Sequence, residues 1–532
     1  MKRILWSGVI ALAMVAAPSF AAAPDFDFAS LGAQAQPETV GTPRDPGARA
    51  AEMQGLQKQL AAGRVEKALG RPIVVQLTNA ERSKIDNLGR RAENKYLVGV
   101  AKPVGKDINF SPARSLDKGM ADLALGAARG TGGAGFVWTA EVRVPGATAL
   151  RLHLTNVDLP RGAKLYVYNL DGQAFGPYTG RGPLGDGELH TNTVFGGRLL
   201  LQLHAPADLA RTPRLTLAEV GVMGARFAAP RYKPEGVFDP KDLDTISKAS
   251  NLCSANASCV VNAACQSSSV VNTAKDAVAG MLFQSGGSYY ICTGGLVADN
   301  VTSSVIPFFL TANHCISRSS EASSLETYFD YETTCSNPNC TQPYNNTGDT
   351  VGATIKATGS TSDFTLLQLA ATPASRDGVT TYLGWLSTAV ANTNNLALYR
   401  ISHPQGSPQA YSEGVVDTGK PTCRTLPRGN FIYSRDTVGA TEGGSSGSPV
   451  VNGAGQIVGQ LYGACGTNLN NVCDAANNGT VDGAFAASYP SLAAFLNPGS
   501  GGSCGAVGSS CTSNSQCCSN SCKGPAGAKT CK

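Results

Sequence analysis

The chain has 532 residues, of which 42% are hydrophobic, so it is too long for one compact core and too apolar to be disordered; two to four domains are expected. A formal net charge of +5 over that length gives no reason to expect a nucleic-acid partner. All 16 cysteines lie from Cys253 onward, which divides the chain into a cysteine-free half and a half suited to an oxidising compartment.

In chain order, Lys2 and Arg3 precede an apolar run over 4–17 and small residues over 19–23, the three parts of a secretory signal assigned to 1–23. The run is shorter than the roughly 20 residues that span a bilayer, so it reads as an export signal and not as an anchor. Residues 24 to about 130 are rich in Ala, Gly and charged side chains, with one short helix predicted around 49–60. Alternating apolar segments follow at 136–144, 150–154, Lys164–Tyr168, 198–204 and 215–222, separated by Pro145-Gly146 and Asp171-Gly172. This period of two predicts a β-rich, sandwich-like module over about 134–225. Residues 251–497 are again strand-rich, with helical periodicity only near 489–496, and 498–503 is a Gly/Ser linker. The tail, 504–532, holds six cysteines and is too short to bury a core without staples. The fold class expected for the whole chain is all-β.

A serine nucleophile needs a base, a carboxylate to orient that base, and backbone N–H groups aimed at a developing oxyanion. The segment EGGSSGSP surrounds Ser446 with glycines that allow a tight turn, although a Gly/Ser-rich stretch alone is commonly a plain loop. From Cys253 onward the only histidines are His314 and His403. His314 ends the hydrophobic segment FFLTANHC, whereas His403 sits in the loop-like SHPQG, so His314 is the better base. In SDFTLLQL, Asp363 stands directly before an apolar run that should be interior, where an isolated Asp would merely cap a turn.

With the order His314, Asp363, Ser446, the motifs CTGGLV, LTANHC, YFDYETTC, SDFTLLQL, SHPQG, GGSSGSP and IVGQLYG resemble the chymotrypsin-like serine endopeptidases. More narrowly they resemble the bacterial lysyl endopeptidases, over roughly 253–497. The resemblance implies a double β-barrel, catalysis by His314, Asp363 and Ser446, and an oxyanion hole from the N–H groups of Gly444 and Ser446. It implies cleavage after Lys or Arg. Trypsin's specificity acid lies six residues before the nucleophile, where this chain has Ala440, so the pocket is assigned to Asp482, with Asp474 second, together with Thr441 and Tyr462. Tyr462 stands where lysyl endopeptidases have a histidine. Serine at 445 replaces the acid that pairs with trypsin's new N-terminus, so activation by that ion pair is not expected.

The same resemblance implies disulfides Cys292–Cys315 and Cys265–Cys335, with Cys259 bonded to either Cys465 or Cys473, and leaves the pairing of Cys253, Cys340 and Cys423 open. It makes 24–250 a propeptide, with Lys248 as a processing point. The tail resembles the cystine-knot miniproteins, which implies Cys504–Cys518, Cys511–Cys522 and Cys517–Cys531 and an anchoring role on a surface or substrate. No cofactor is expected, and the absence of CxxC pairs argues against a metal. The partners expected are protein or peptide substrates, with no nucleic acid, no membrane after signal removal, and a monomeric state. The reading from another class is a secreted binding or adhesion protein on a degenerate protease fold, against which the complete triad argues; an inhibitor reading rests on the tail alone.

Overall fold

The structure is a computed structural model that describes residues 32–41, 46–86, 95–133, 135–228, 256–301, 306–333, 335, 350–373, 381–423, 425–498, 510–511, 522–525 and 529–531. The proposed signal, Lys248, Cys253, Cys340, nearly all of the linker, Cys504, Cys517 and Cys518 lie outside the described residues. The chain is mostly β. Among the described residues the strands form three large sheets, of eleven, nine and seven strands. No helix in them is long and apolar enough to cross a membrane.

The alternating segments of the cysteine-free half become the strands Gly135–Arg143, Ala149–Asp158, Lys164–Tyr168, Arg198–Ala205 and Arg214–Met223. Their inward positions, among them Trp138, Val142, Leu152, Leu201, Leu217 and Val220, enter one apolar core that draws on both the seven- and eleven-stranded sheets. The predicted short helix spans Pro46–Gly63.

One long strand, Tyr96–Asn109, was not anticipated. It contains Pro103, which removes a ladder donor, and its first five residues are all buried, so neither face alternates. It is held between two neighbours: Arg214–Met223, with an irregularity opposite Pro103, and Ser288–Leu296 of the cysteine-rich half. The pairs Ser288↔Val100 and Ile291↔Tyr96 therefore join the two halves in one continuous sheet. The same sheet goes on through Phe308–Ala312, Phe364–Leu369 and Ala353–Gly359. The nine-stranded sheet carries Ala397–Ser402, Ala410–Val416, Phe431–Val438, Pro449–Val451, Gln456–Gly466 and Asn478–Ala484, and it takes Gln34–Ala35 onto Gly384–Leu386. A core of Leu310, Phe364, Ile401, Val451, Ile457, Trp385 and Phe485 lies between these two sheets, closed by the helix Phe485–Leu496.

A buried polar network adds to the junction of the halves. Arg151 and Glu326 are both fully buried, 3.7 Å apart. Arg151 donates to the carbonyls of Thr191 and Ser324 at 2.6 and 2.7 Å. Glu326 accepts from Asn192 Nδ2, the Thr193 N–H and Thr193 Oγ1 at 3.0, 2.9 and 2.5 Å. Arg151 Nη2 alone has no hydrogen-bond partner among the described residues; burying such charges is tolerable when they are paired and largely hydrogen-bonded, and removing one partner leaves the other uncompensated. Glu326→Ala is expected to destabilise the full chain by about 3–5 kcal/mol in urea unfolding; a loss under about 1 kcal/mol would show that Arg151 is rehydrated instead.

Candidate active site

Register sets the first contact. The strands Phe308–Ala312 and Phe364–Leu369 are antiparallel, with Ala312 opposite Phe364, so His314 and Asp363 leave the sheet at the same end. The backbone at Asp363 has φ +53°, a left-handed conformation that Asp tolerates better than most residues. That turn aims the carboxylate back at His314. Oδ1 accepts the His314 backbone N–H at 2.8 Å, and Oδ2 lies 2.7 Å from Nδ1. The turn is itself held: Asn313 N–H and Gln460 Nε2 donate to the Asp363 carbonyl, Gln460 Nε2 also to the Ser362 carbonyl, and Ser362 Oγ meets Ser488 Oγ at 2.8 Å. The opposite ring atom, His314 Nε2, is buried with no hydrogen-bond partner among the described residues. Tyr462 packs edge-on against the imidazole at 5.6 Å and against Phe431 at 5.5 Å.

The Ser446 loop is fastened to the same sheet through Thr293. Its N–H donates to the Ser446 carbonyl at 2.8 Å and its hydroxyl to the Gly444 carbonyl at 2.8 Å, one bond on each side of Ser445. The disulfide Cys292–Cys315 lies directly behind, and Cys315 Sγ is 3.7 Å from the Ser446 carbonyl oxygen. Gly444 and Gly447 have φ of +99° and +83°. A Cβ at Gly447 would stand 2.2 Å from Thr311 Oγ1, so that approach requires glycine. On its outer side the loop is tied by Glu442, which accepts from Asn256 Nδ2 at 2.8 Å and Gln405 Nε2 at 2.9 Å. Ser445 is fully buried, its hydroxyl bonded to Ser402 Oγ at 3.1 Å. Tyr96, from the cysteine-free half, donates to Gln405 Oε1 at 3.1 Å, and its ring packs close over Gly443, 3.0 Å from where a Cβ there would stand.

The other histidine has a different setting. His403 is buried, stacks on Tyr331 and has Nδ1 donating to the Ser407 carbonyl at 2.9 Å.

The acids named for a pocket are placed apart. Asp482 is fully buried and ion-paired to Arg400 at 2.6 Å; burial pushes its carboxyl up while Arg400 holds it down. Asp474 closes its own turn, accepting from Asn468 Nδ2, Asn477 Nδ2 and the Asn477 N–H. Neither lines the cavity next to the serine loop, which is bounded by Thr441 and by Asp436, an acid that sequence reasoning did not single out. Its only signal in the sequence is a carboxylate near the end of the strand that leads to the GGSSGSP loop. Glu442 in EGGSSGSP and Gln460 in IVGQLYG likewise carry no signal of their contacts in residue type or spacing.

The disulfides Cys292–Cys315, Cys265–Cys335, Cys259–Cys473, Cys423–Cys465 and Cys511–Cys522 are closed. Of the two partners left open for Cys259, the structure thus selects Cys473, and Cys465 goes to Cys423.

Residues 252–479 match the family model of the lysyl endopeptidase C-terminal domain. A lysyl endopeptidase of Pseudomonas aeruginosa is 38% identical over 221 residues, which is 39% of this chain and 46% of that protein. The chain thus aligns with about half the length of this curated relative. Among solved structures, the active form of the Rv3671c protease from M. tuberculosis aligns with a TM-score of 0.29 and 15% identity, over 43% of this chain and 84% of that one. The HtrA-type protease AlgW with a tripeptide aligns at 0.30 and 15%, over 46% and 68%.

Because Asp482 neutralises a buried Arg400, Asp482→Ala is expected to lower the unfolding free energy by about 3–5 kcal/mol in denaturant titration. A midpoint that does not move would mean Arg400 reaches water when its partner is removed.

Proposed function

We propose that this chain is a secreted serine endopeptidase that hydrolyses peptide bonds, after Lys or Arg, through an acyl-enzyme. The observation that carries the reading is the His314–Asp363 contact at 2.7 Å, with the far ring nitrogen left unbonded and the Ser446 loop fastened beside it through Thr293 and Cys315. In this reading Ser446 Oγ attacks the scissile carbonyl while His314 Nε2 takes its proton. Asp363 keeps the imidazole in the required tautomer and stabilises the imidazolium. The N–H groups of Gly444 and Ser446 receive the oxyanion, and the proton returns from His314 to the leaving amine. Water then repeats the sequence on the acyl-enzyme. The two sheets of residues 256–497 would serve as the two barrels of a chymotrypsin-like domain.

The reading extends to the flanks. Residues 1–23 would direct export, 24–250 would act as a propeptide, and 504–532 would form a cystine-knot anchor. The Tyr96 contact with Gln405 beside Gly443 supports a zymogen, since loss of the cysteine-free half would strip one face of the serine loop.

A fluorophosphonate probe should label the secreted, mature protein and fail on Ser446→Ala. Asp363→Asn is expected to lower kcat by about 10⁴-fold, the loss that follows when the orienting carboxylate of such a triad is neutralised. Absence of labelling in the unsubstituted protein would overturn the endopeptidase reading in favour of a binding protein. N-terminal sequencing of the secreted protein should find a start near Asn251; a start near Pro24 would mean that the cysteine-free half is retained.

A further inference from the structure

The cavity bounded by Thr441 and Asp436 adjoins the segment that leads into the Ser446 loop. Thr441 belongs to the segment that enters the Ser446 loop. Ala464, on another wall, lies on the strand Gln456–Gly466, which also carries Tyr462 against the His314 ring. Leu469 and Val472 supply an apolar outer wall, and Asp436 with Thr480 supplies the polar part. The cavity is narrow, about 30 Å³, enough for one or two waters or for the charged tip of a side chain.

Asp436 is the unusual member. It is half-buried, and Thr480 Oγ1 donates to its Oδ2 at 2.9 Å. Among the described residues it makes no ion pair. The cations whose charge reaches it contact other groups: Arg400 Nη2 meets Asp482 at 2.6 Å, with Nη1 unpartnered among the described residues, and Lys420 Nζ donates to the carbonyls of Ala475, Ala476 and Asn478 at 2.7, 3.0 and 2.8 Å. Loss of water around it pushes the carboxyl up to about 6, against the pull of the Thr480 bond and of Arg400. A carboxylate shielded from water without a counter-charge in contact is destabilised until a cation reaches it. The groups that meet this geometry are an ammonium or guanidinium at the end of an alkyl stem, the charge against Asp436 and the methylenes against Leu469 and Val472.

We propose that Asp436, with Thr480 as its positioning partner, is the carboxylate that selects a cationic substrate side chain on the acyl side of the scissile bond. This rests on the endopeptidase reading above, and it moves the specificity acid from Asp482 to a different strand, Phe431–Val438. The walls of the cavity then come from five stretches: the strand Phe431–Val438, the approach to the serine loop, the strand beyond Tyr462, the loop with Leu469 and Val472, and Asn478–Ala484.

The test uses the mature secreted enzyme and peptides that differ only in Lys, Arg or Leu before the scissile bond. In Asp436→Asn, the ratio of kcat/KM for the Lys and Arg peptides to that for the Leu peptide should fall by about 100-fold, the usual loss when one partner of a desolvated charge pair is removed. Fluorophosphonate labelling of Ser446 in the same variant verifies that the fold and nucleophile survive. If Asp436→Asn does not fold, Thr480→Val, which takes away only the hydrogen bond, should lower the same ratio by about three- to tenfold. A ratio unchanged in whichever variant folds, or equal losses on all three peptides, overturns the proposal. Failure of the unsubstituted enzyme to label at all is a different outcome, which removes the endopeptidase reading first and this inference with it.

Discussion

Everything at the candidate site depends on one carboxylate accepting two N–H groups of one histidine. Asp363 takes the backbone N–H of His314 with one oxygen and meets the ring Nδ1 with the other, so it sets both where the residue sits and how the ring is turned. A single bond to the ring would leave rotation about the chain free. A single bond to the backbone would leave the tautomer open. The left-handed turn that makes the double contact carries strain, and the surrounding structure holds it through Gln460, Asn313 and the Ser362–Ser488 pair. Because Gln460 lies on the second sheet of the cysteine-rich half and His314 on the first, the site exists only when the two are packed together.

Three carboxylates, two fully buried and one half-buried, show how one chemical group is put to different uses. Glu326 accepts four hydrogen bonds, including one from Tyr328, and faces Arg151, so it is fully satisfied and helps hold the two halves of the chain in register. Asp482 is neutralised by Arg400 within the nine-stranded sheet. Asp436 has a single hydrogen bond and no cation in contact among the described residues. Asp482 still has its Oδ2, and Arg400 its Nη1, without a hydrogen-bond partner among the described residues, but the two charges touch; only Asp436 lacks a cation in contact and gains most from an external one. What separates the three is whether a positive charge is in contact: Arg151 faces Glu326 and Arg400 meets Asp482, whereas Asp436 has none among the described residues.

Much of the cysteine-free half was legible because its strands alternate: Gly135–Arg143 and Arg198–Ala205 show the pattern plainly, and turn residues separate them. Tyr96–Asn109 was not legible. A strand buried on both faces loses its alternation, Pro103 argues against a ladder, and the neighbour that stabilises it lies in the other half of the chain. Nor did local pattern reveal that the two halves share a sheet, since a boundary drawn at the first cysteine reflects redox chemistry and not packing.

The sequence by itself determined which chemical groups are available and in what order: one histidine at a strand end, an acid ahead of an apolar strand, and a serine among glycines that permit positive φ. Those are local properties, readable from residue type and spacing. Only the tertiary structure decided how each acid is compensated. Asp482, Asp474 and Asp436 are alike as letters, and their surroundings diverge because Arg400 and Thr480 are brought to the first and third from distant strands, while Asn468 and Asn477 meet Asp474 within one turn. Charge compensation is a property of three-dimensional neighbours, and no spacing along the chain encodes it directly.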